Sequence, residues 1–434
     1  MYFQKDIETM PRPELEKLQL ERLKKLVDYC YNNVAMYHKK LGDVGITSGD
    51  KIKVLSDLQY IPLTTKDDMR DNYPFGLVAC PMKKLVRLHA SSGTTGKPTV
   101  GVYTKNDLDS WADYVARVCV AGGITDEDII QIAFGYGLFT GALGLHYGLE
   151  KIGALVIPAS SGNSEKQMMM MKDFGVTGLV ATPSYAVYLS ELVRESGDSP
   201  KEYSKLKHGL LGSEGCTAEM RERIEQTLQI NVSDNYGMTE LIGPGVSGEC
   251  KHRTGLHFCE DAFIPEIIDS DTHKVKEAGE VGELIVTSLT REGMPVLRYR
   301  TKDITRLNYE ACPCGRTHVR MDKVMGRTDD MMIIKGVNVF PSQIESVLVT
   351  MPSIEPHYQL VLRRENYLDN LEVKVELVDA SLLESYGELQ KLQRTIHDNL
   401  RSVLGLETKV TLVEPKSLER FQGKAKRILD LRNQ

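Results

Sequence analysis

The chain is poor in tryptophan and cysteine, with one Trp and eight Cys among 434 residues. Cysteine this sparse cannot staple a protein of such length, so a disulfide scaffold is excluded. A large excess of one charge is also missing. Sixty acidic against 54 basic residues leave a formal charge of −6, which provides no global basic field for nucleic acid or an anionic membrane. Any phosphate binding must therefore be local. The opening MYFQKDIETM lacks the layout of a secretory signal, because Lys5, Asp6 and Glu8 interrupt any apolar run, and the expectation is a cytoplasmic protein. Residues 129–149 are free of Asp, Glu, Lys and Arg and are about as long as a bilayer span. Five glycines, Gln131, Tyr136 and His146 break that stretch, so it reads as a buried strand and loop. Repeats and low-complexity segments are absent as well.

What the chain has is ample core material: 41% hydrophobic and 26% charged residues, with 17 scattered prolines. At roughly 150 residues per domain, two or three domains are expected. Residues 11–40 repeat apolar side chains at Leu15, Leu18, Leu23, Leu26 and Val27, the spacing of an amphipathic helix. Thr64 or Thr65 suits the N-cap of a further helix. Between 86 and 290, β-branched runs at 129–134, 155–158, 178–182, 207–211 and 231–235 alternate with helical stretches, predicting an α/β domain with a parallel sheet. Short strands at 282–286 and 295–299 suggest a β-rich subdomain. Beyond 326, a strand at 331–334, a helix at 341–348, a strand at 372–377 and a helix at 389–404 predict a small α+β domain.

Residues 91–98, Ser-Ser-Gly-Thr-Thr-Gly-Lys-Pro, combine two glycines, four hydroxyls and a lysine. Glycines let backbone N–H groups approach an anion, hydroxyls add donors and lysine adds charge, a composition suited to polyphosphate. The spacing is not that of a Walker loop, and in isolation such a string also fits a surface turn. Further along stand Tyr236-Gly-Met-Thr-Glu240, Tyr299-Arg-Thr-Lys-Asp303, Gly326-Arg-Thr-Asp-Asp330 and Gly423-Lys424. These five motifs, in this order, resemble those of the adenylate-forming superfamily of acyl-CoA synthetases, peptide-synthetase adenylation domains and luciferases. The similarity is greatest to its phenylacetate-CoA ligase branch, through LTTKDDMRDNYPFG at 63–76, the Gly-rich 134–148 and GVNVFPSQIE at 336–345. Lys302 departs from the superfamily pattern, which has glycine there.

The resemblance implies a large N-terminal ATP- and acyl-binding domain, 1–326, and a mobile C-terminal domain, 327–434, hinged near Asp329. It implies activation of an aryl acid as its acyl-adenylate and transfer to coenzyme A; an acceptor thiol on a carrier protein stays open. In this reading Lys424 bridges the attacking carboxylate and the α-phosphate, and Glu240 holds Mg²⁺. Ser91, Ser92, Gly93, Thr94, Thr95, Gly96 and Lys97 surround the phosphates. Ser213, Glu214, Asn235, Tyr236, Gly237, Met238 and Thr239 line the adenine and its surroundings, Asp303 accepts the ribose hydroxyls, and Arg327 stands near phosphate or ribose. Lys335 and Gly336 line the route of the pantetheine arm, while Tyr136, Phe139, Gly141 and Ala142 form the acyl pocket. A homodimer is implied as well.

A second constellation lies outside these motifs. Cys312-Pro-Cys314 offers two thiolates, and Cys250, His252, His257 and Cys259 lie upstream of it. Zinc takes four N/S ligands, usually from two chain segments. The resemblance favours Cys250, His257, Cys312 and Cys314, with His252 and Cys259 as alternatives; four protein ligands leave no open position, so the role is structural.

Overall fold

Leu15, Leu23, Leu26 and Val27 are buried along one stripe of the helix Arg12–Asn33, as their spacing predicts, whereas Leu18 is only half-buried and Cys30 extends the stripe. The helix does not run on to residue 40. Val34 is extended (φ −126°, ψ 113°) and the chain restarts as Ala35–Asp43, which buries Tyr37 and lets its hydroxyl meet Thr64 Oγ1 at 3.0 Å. Thr65, not Thr64, caps the next helix, Lys66–Asp71: its hydroxyl accepts from Asp68 N while Asp68 Oδ2 accepts from Thr65 N. Thr64 is buried and donates to Leu297 O.

The computed structural model describes residues 1–91, 98–197, 203, 205–335, 337–365, 368–420 and 427–432. They form two compact units. The first comprises 1–181, 199–213 and 230–324 and is built on a nine-stranded sheet. Leu155–Ile157, Ile129–Ile132, Gly178–Ala181, His208–Gly212 and Asn231–Met238 lie side by side and parallel, the α/β layout that the alternating pattern predicts. The aliphatic side chains of the inner strands, such as Ile130, Ile132, Leu179, Val180, Leu210 and Val232, are buried, as parallel strands require, whereas the edge strand Leu155–Ile157 leaves Leu155 exposed. The sheet then changes direction. Asn231–Met238 turns back on Gly243–Glu249, and Leu256–Phe258, Arg320–Met321 and Leu307–Asn308 continue antiparallel.

The glycine-rich stretch 129–149 resolves into strand Ile129–Ile132, a loop and helix Thr140–Ile152. Among the described residues no helix is long and apolar enough to cross a membrane. Phe263–Ile268, Gly282–Ser288 and Tyr299–Thr305 pair antiparallel as the β-rich portion. The strand expected over 295–299 starts only at Tyr299. Arg298 just before it is left-handed (φ 44°), and its guanidinium donates to Gln59 O and Ile61 O and pairs with Glu266, so this segment serves loop contacts instead of a ladder.

The second unit comprises 182–198, 214–229 and 325–434. It takes in two helices, Pro183–Glu195 and Ala218–Leu228, which the sequence pattern alone attaches to the large domain. Its sheet runs Lys409–Val413, Leu368–Leu377, Ile354–Glu365, Ile428–Asp430. The helices Pro341–Leu348 and Tyr386–Leu404 complete a core containing Ile344, Leu348, Leu360, Val373, Ile396 and Leu400.

Candidate active site

The point where the large sheet turns from parallel to antiparallel carries the Tyr-Gly-Met-Thr-Glu motif. Tyr236, Gly237 and Met238 end strand Asn231–Met238, and Thr239 and Glu240 form the turn into Gly243–Glu249. A Cβ on Gly237 would lie 1.9 Å from Gly243 O, so only glycine allows the two strands this close. Glu240 is buried on a hairpin turn, and no helix starts there. Thr239 is buried too, its Oγ1 3.4 Å from that of Thr140. Asn235 Oδ1 accepts from Gly245 N at 3.0 Å, which ties the strand to its partner.

The Tyr236 hydroxyl donates to Asp303 Oδ2 at 2.6 Å. Two motifs 67 residues apart thus meet through one short, charge-assisted hydrogen bond. Asp303 is buried in strand Tyr299–Thr305, its N–H donating to Thr301 Oγ1. Lys302 beside it has φ 68°, a left-handed backbone that costs an L-residue about 1 kcal/mol. That conformation explains why glycine is the superfamily pattern at this position. Arg291, which no motif singles out, donates to the carbonyls of Glu240 and Leu241.

Ser91 closes the hairpin that bears the Gly-rich string: its N–H donates to Thr99 O, and its Oγ accepts from Thr99 N. Ser92, Gly93, Thr94, Thr95, Gly96 and Lys97 lie outside the described residues, as do Gly336 and Lys424. Ser213 is exposed with φ 75°. Glu214 accepts from Ser184 N at the start of helix Pro183–Glu195. Arg327 grips Asp329 with two donors, at 2.8 and 3.1 Å, and Lys335 is an exposed left-handed turn residue.

Of the residues expected around the acyl group, Tyr136 is half-buried, Phe139 is 54% exposed and Ala142 is fully buried within the core. The phenol of Tyr136 lies 3.1 Å from His146 Nδ1, and His146 Nε2 lies 3.0 Å from Glu150. Burial raises the Tyr136 hydroxyl well above the ordinary phenol range. His146 has no site role legible in the sequence, because only the turn of the helix Thr140–Ile152 brings it to Tyr136.

The Cys/His constellation assembles with the four residues favoured above. The ligand atoms of Cys250, His257, Cys312 and Cys314 all lie within 4.8 Å of one another. Cys250 Sγ is 3.7 Å from Cys312 Sγ, and Cys314 Sγ is 3.5 Å from His257 Nε2. A tetrahedron with Zn–S bonds of about 2.3 Å has edges of about 3.8 Å. His257 Nδ1 faces His318 O at 3.3 Å, which turns Nε2 toward the cluster as metal-bound imidazoles require. The Cys314 thiol is held well below its usual range, first by the hydrogen bond from Cys250 and next by His257, whereas Cys250 is pushed up in return. Cys259 turns instead to Gly245 O and His252 is exposed, so neither joins the cluster.

The family model of AMP-binding enzymes matches residues 33–290, and that of the AMP-binding enzyme C-terminal domain matches 336–432. The phenylacetate-coenzyme A ligase of Thermus thermophilus is 47% identical over 100% of both chains. That of Escherichia coli is also 47% identical, over 98% of this chain and 97% of its own. Among solved structures, 2-hydroxyisobutyryl-CoA ligase in complex with 2-HIB-AMP superposes with a TM-score of 0.92 at 28% identity, covering 99% of this chain and 92% of the other. The chain belongs to the family of AMP-binding, adenylate-forming enzymes.

Proposed function

We propose that the chain is an ATP-dependent ligase that activates an aryl acid of the phenylacetate type as an acyl-adenylate and passes the acyl group to coenzyme A, yielding acyl-CoA, AMP and pyrophosphate. The observation that carries this reading is likeness to phenylacetate-CoA ligases along the entire chain, at 47% identity. The hydrogen bond between Tyr236 and Asp303 supports it, because it joins two of the motifs in one site.

In the first half-reaction the acid's carboxylate attacks the α-phosphate and pyrophosphate leaves. The protein's work is positioning and charge neutralisation. Lys424 supplies the cation between the attacking oxygen and the phosphate, and residues 91–97 hold the remaining phosphate oxygens. Asp303 takes the ribose hydroxyls, using the several lone-pair sites of a carboxylate, with Tyr236 fixing one of its oxygens. Arg327 stands near phosphate or ribose, while Ser213, Glu214, Asn235 and residues 236–239 flank the adenine. Glu240, a hard oxygen ligand on a buried turn, suits Mg²⁺, which when bound neutralises charge on the phosphates. In the second half-reaction the CoA thiol sulfur attacks the acyl carbon and AMP leaves. The C-terminal domain then turns about Asp329, withdrawing Lys424 and presenting Lys335 and Gly336 to the pantetheine arm. Tyr136, Phe139, Gly141 and Ala142 border the aryl group.

Cys250, His257, Cys312 and Cys314 bind one structural zinc, and their edge lengths support that geometry. A homodimer in the cytoplasm completes the reading. The test is to incubate the protein with ATP, Mg²⁺ and a panel of aryl acids, with and without CoA, following AMP and thioester. Phenylacetyl-CoA formed together with AMP is expected; AMP and adenylate accumulating unchanged by CoA would reject the acceptor.

A further inference from the structure

Arg291 is 3% exposed, yet among the described residues no carboxylate forms an ion pair with it. A buried guanidinium without a counter-charge is costly unless its donors are well used. Here Nη1 is spent on one turn, while Nε has no hydrogen-bond partner among the described residues. Nη1 donates to Glu240 O at 2.8 Å and to Leu241 O at 2.7 Å, and Nη2 makes a longer contact of 3.4 Å with Val102 O. The guanidinium also lies 4.9 Å over the ring of Tyr103, whose hydroxyl donates to Ile242 O at 2.8 Å. Trp111 stacks on Tyr103 and donates to Pro244 O at 2.7 Å. Consecutive carbonyls of the turn, from Glu240 to Ile242, are thus held from beneath by fixed donors.

The same side chain touches the strand that leaves the Gly-rich string. Val100–Thr104 pairs antiparallel with Leu85–Ala90, the strand that precedes the string in sequence. Glycine at 101 permits the approach, since a Cβ there would lie 3.1 Å from Arg291 Nη2 and 3.2 Å from Thr239 O. One buried cation therefore touches the roots of both elements assigned above to the nucleotide: the phosphate hairpin through Val102 and the Glu240 turn through its carbonyls.

We infer that Arg291 is a positioning residue for adenylation, fixing the Glu240 turn against the root of the phosphate hairpin so that the carboxylate of Glu240 is preorganised for the metal–nucleotide complex. This rests on the role proposed for Glu240. Its effect belongs to the first half-reaction, since pyrophosphate has left before the thiol attacks. Loss of donors that hold a catalytic group in place costs roughly 10- to 100-fold in rate.

The experiment compares Arg291→Met and Arg291→Lys with Glu240→Gln, using ATP, phenylacetate and a Mg²⁺ titration. Pyrophosphate exchange reads the first half-reaction, and thioester formation from presynthesised phenylacetyl-AMP reads the second. Arg291→Met is expected to lose about 10- to 100-fold in exchange and to need more Mg²⁺, with thioester formation within about threefold of the parent. Arg291→Lys, which keeps the charge but not the two-pronged reach, should show the same split to a smaller degree, and it reads the inference if the methionine variant does not fold. Trp111 is the sole tryptophan, so its fluorescence reports the turn directly and should shift in both variants without substrate. Equal losses in both half-reactions of a folded variant, or an unchanged Mg²⁺ requirement, would overturn the inference while a crippled Glu240→Gln left the parent reading standing. Normal exchange in Glu240→Gln would overturn both.

Discussion

Strand Gly243–Glu249 borders one of the two proposed sites at each end. The turn before it holds Glu240, and Cys250, the residue after it, belongs to the Cys/His cluster. Seven residues of strand put roughly 20 Å between them. At the Glu240 end the turn is held through its own carbonyls by Arg291 and Tyr103, which leaves the Glu240 carboxylate out of the clamp. At the Cys250 end the side chains turn on one another, with four donors inside 4.8 Å. On the roles proposed above, the first end would fix its backbone and keep its functional group for the ligand, and the second would spend every ligand it has on a metal.

The sharpest way to break that contrast is at the nucleotide end. Lys424→Ala should lower adenylate formation by about 10³-fold, the scale of a lost charge stabiliser in a transition state, and leave thioester formation from presynthesised acyl-adenylate near the parent rate. Equal loss in both half-reactions would assign the lysine to folding or to both steps. Asp303→Asn should follow, raising KM for ATP roughly 10- to 100-fold, because hydrogen bonds to a carboxylate are stronger than those to an amide. The substitution also weakens the bond from Tyr236, and a normal KM would remove Asp303 from the ribose site.

At the other end the expected losses are in stability. Cys312→Ser, or chelation, should lower Tm by more than about 5 °C, each kcal/mol being worth roughly 2–4 °C for domains of this size. Adenylation in protein that stays folded should persist. Metal analysis giving about one zinc per parent chain would tie the two results together. Catalytic loss without loss of Tm would erase the distinction between the two ends.

The smallest effect is that of pH on stability. Burial lowers His89 and His208 below the ordinary imidazole range of 6.5, Asp128 partly offsetting the shift at His208. The unfolded chain takes up these protons first as pH falls. Their contribution is therefore complete above about 6.5 and is lost progressively below it, through the lower folded-state values. Tm should drop by a few degrees between pH 7 and pH 5 and the drop should shrink in His208→Gln; an unaltered slope would show that His208 contributes nothing.

Much of the molecule was legible in one dimension because the signals are local. Helical spacing located the stripe from Leu15 to Val27, β-branched runs located the parallel strands, and the order of five short motifs pointed to adenylation chemistry. The capping box of Thr65 with Asp68 is equally local. The four Cys/His residues that assemble were chosen on the family resemblance, since their spacing alone left His252 and Cys259 as alternatives.

What the sequence by itself determined were residue types at fixed offsets: periodicity, caps and motif spacing. Tertiary structure alone decided which distant backbones would meet. Val34 breaks a helix that its neighbours would continue, and beyond the break Tyr37 reaches Thr64. His146 gains significance only when a helix brings it to Tyr136, and Arg291 only when its fork reaches carbonyls 50 and 51 residues earlier. Carbonyl groups are present at every residue and leave no trace in side-chain identity. A residue that acts by holding them is invisible until the chain has folded.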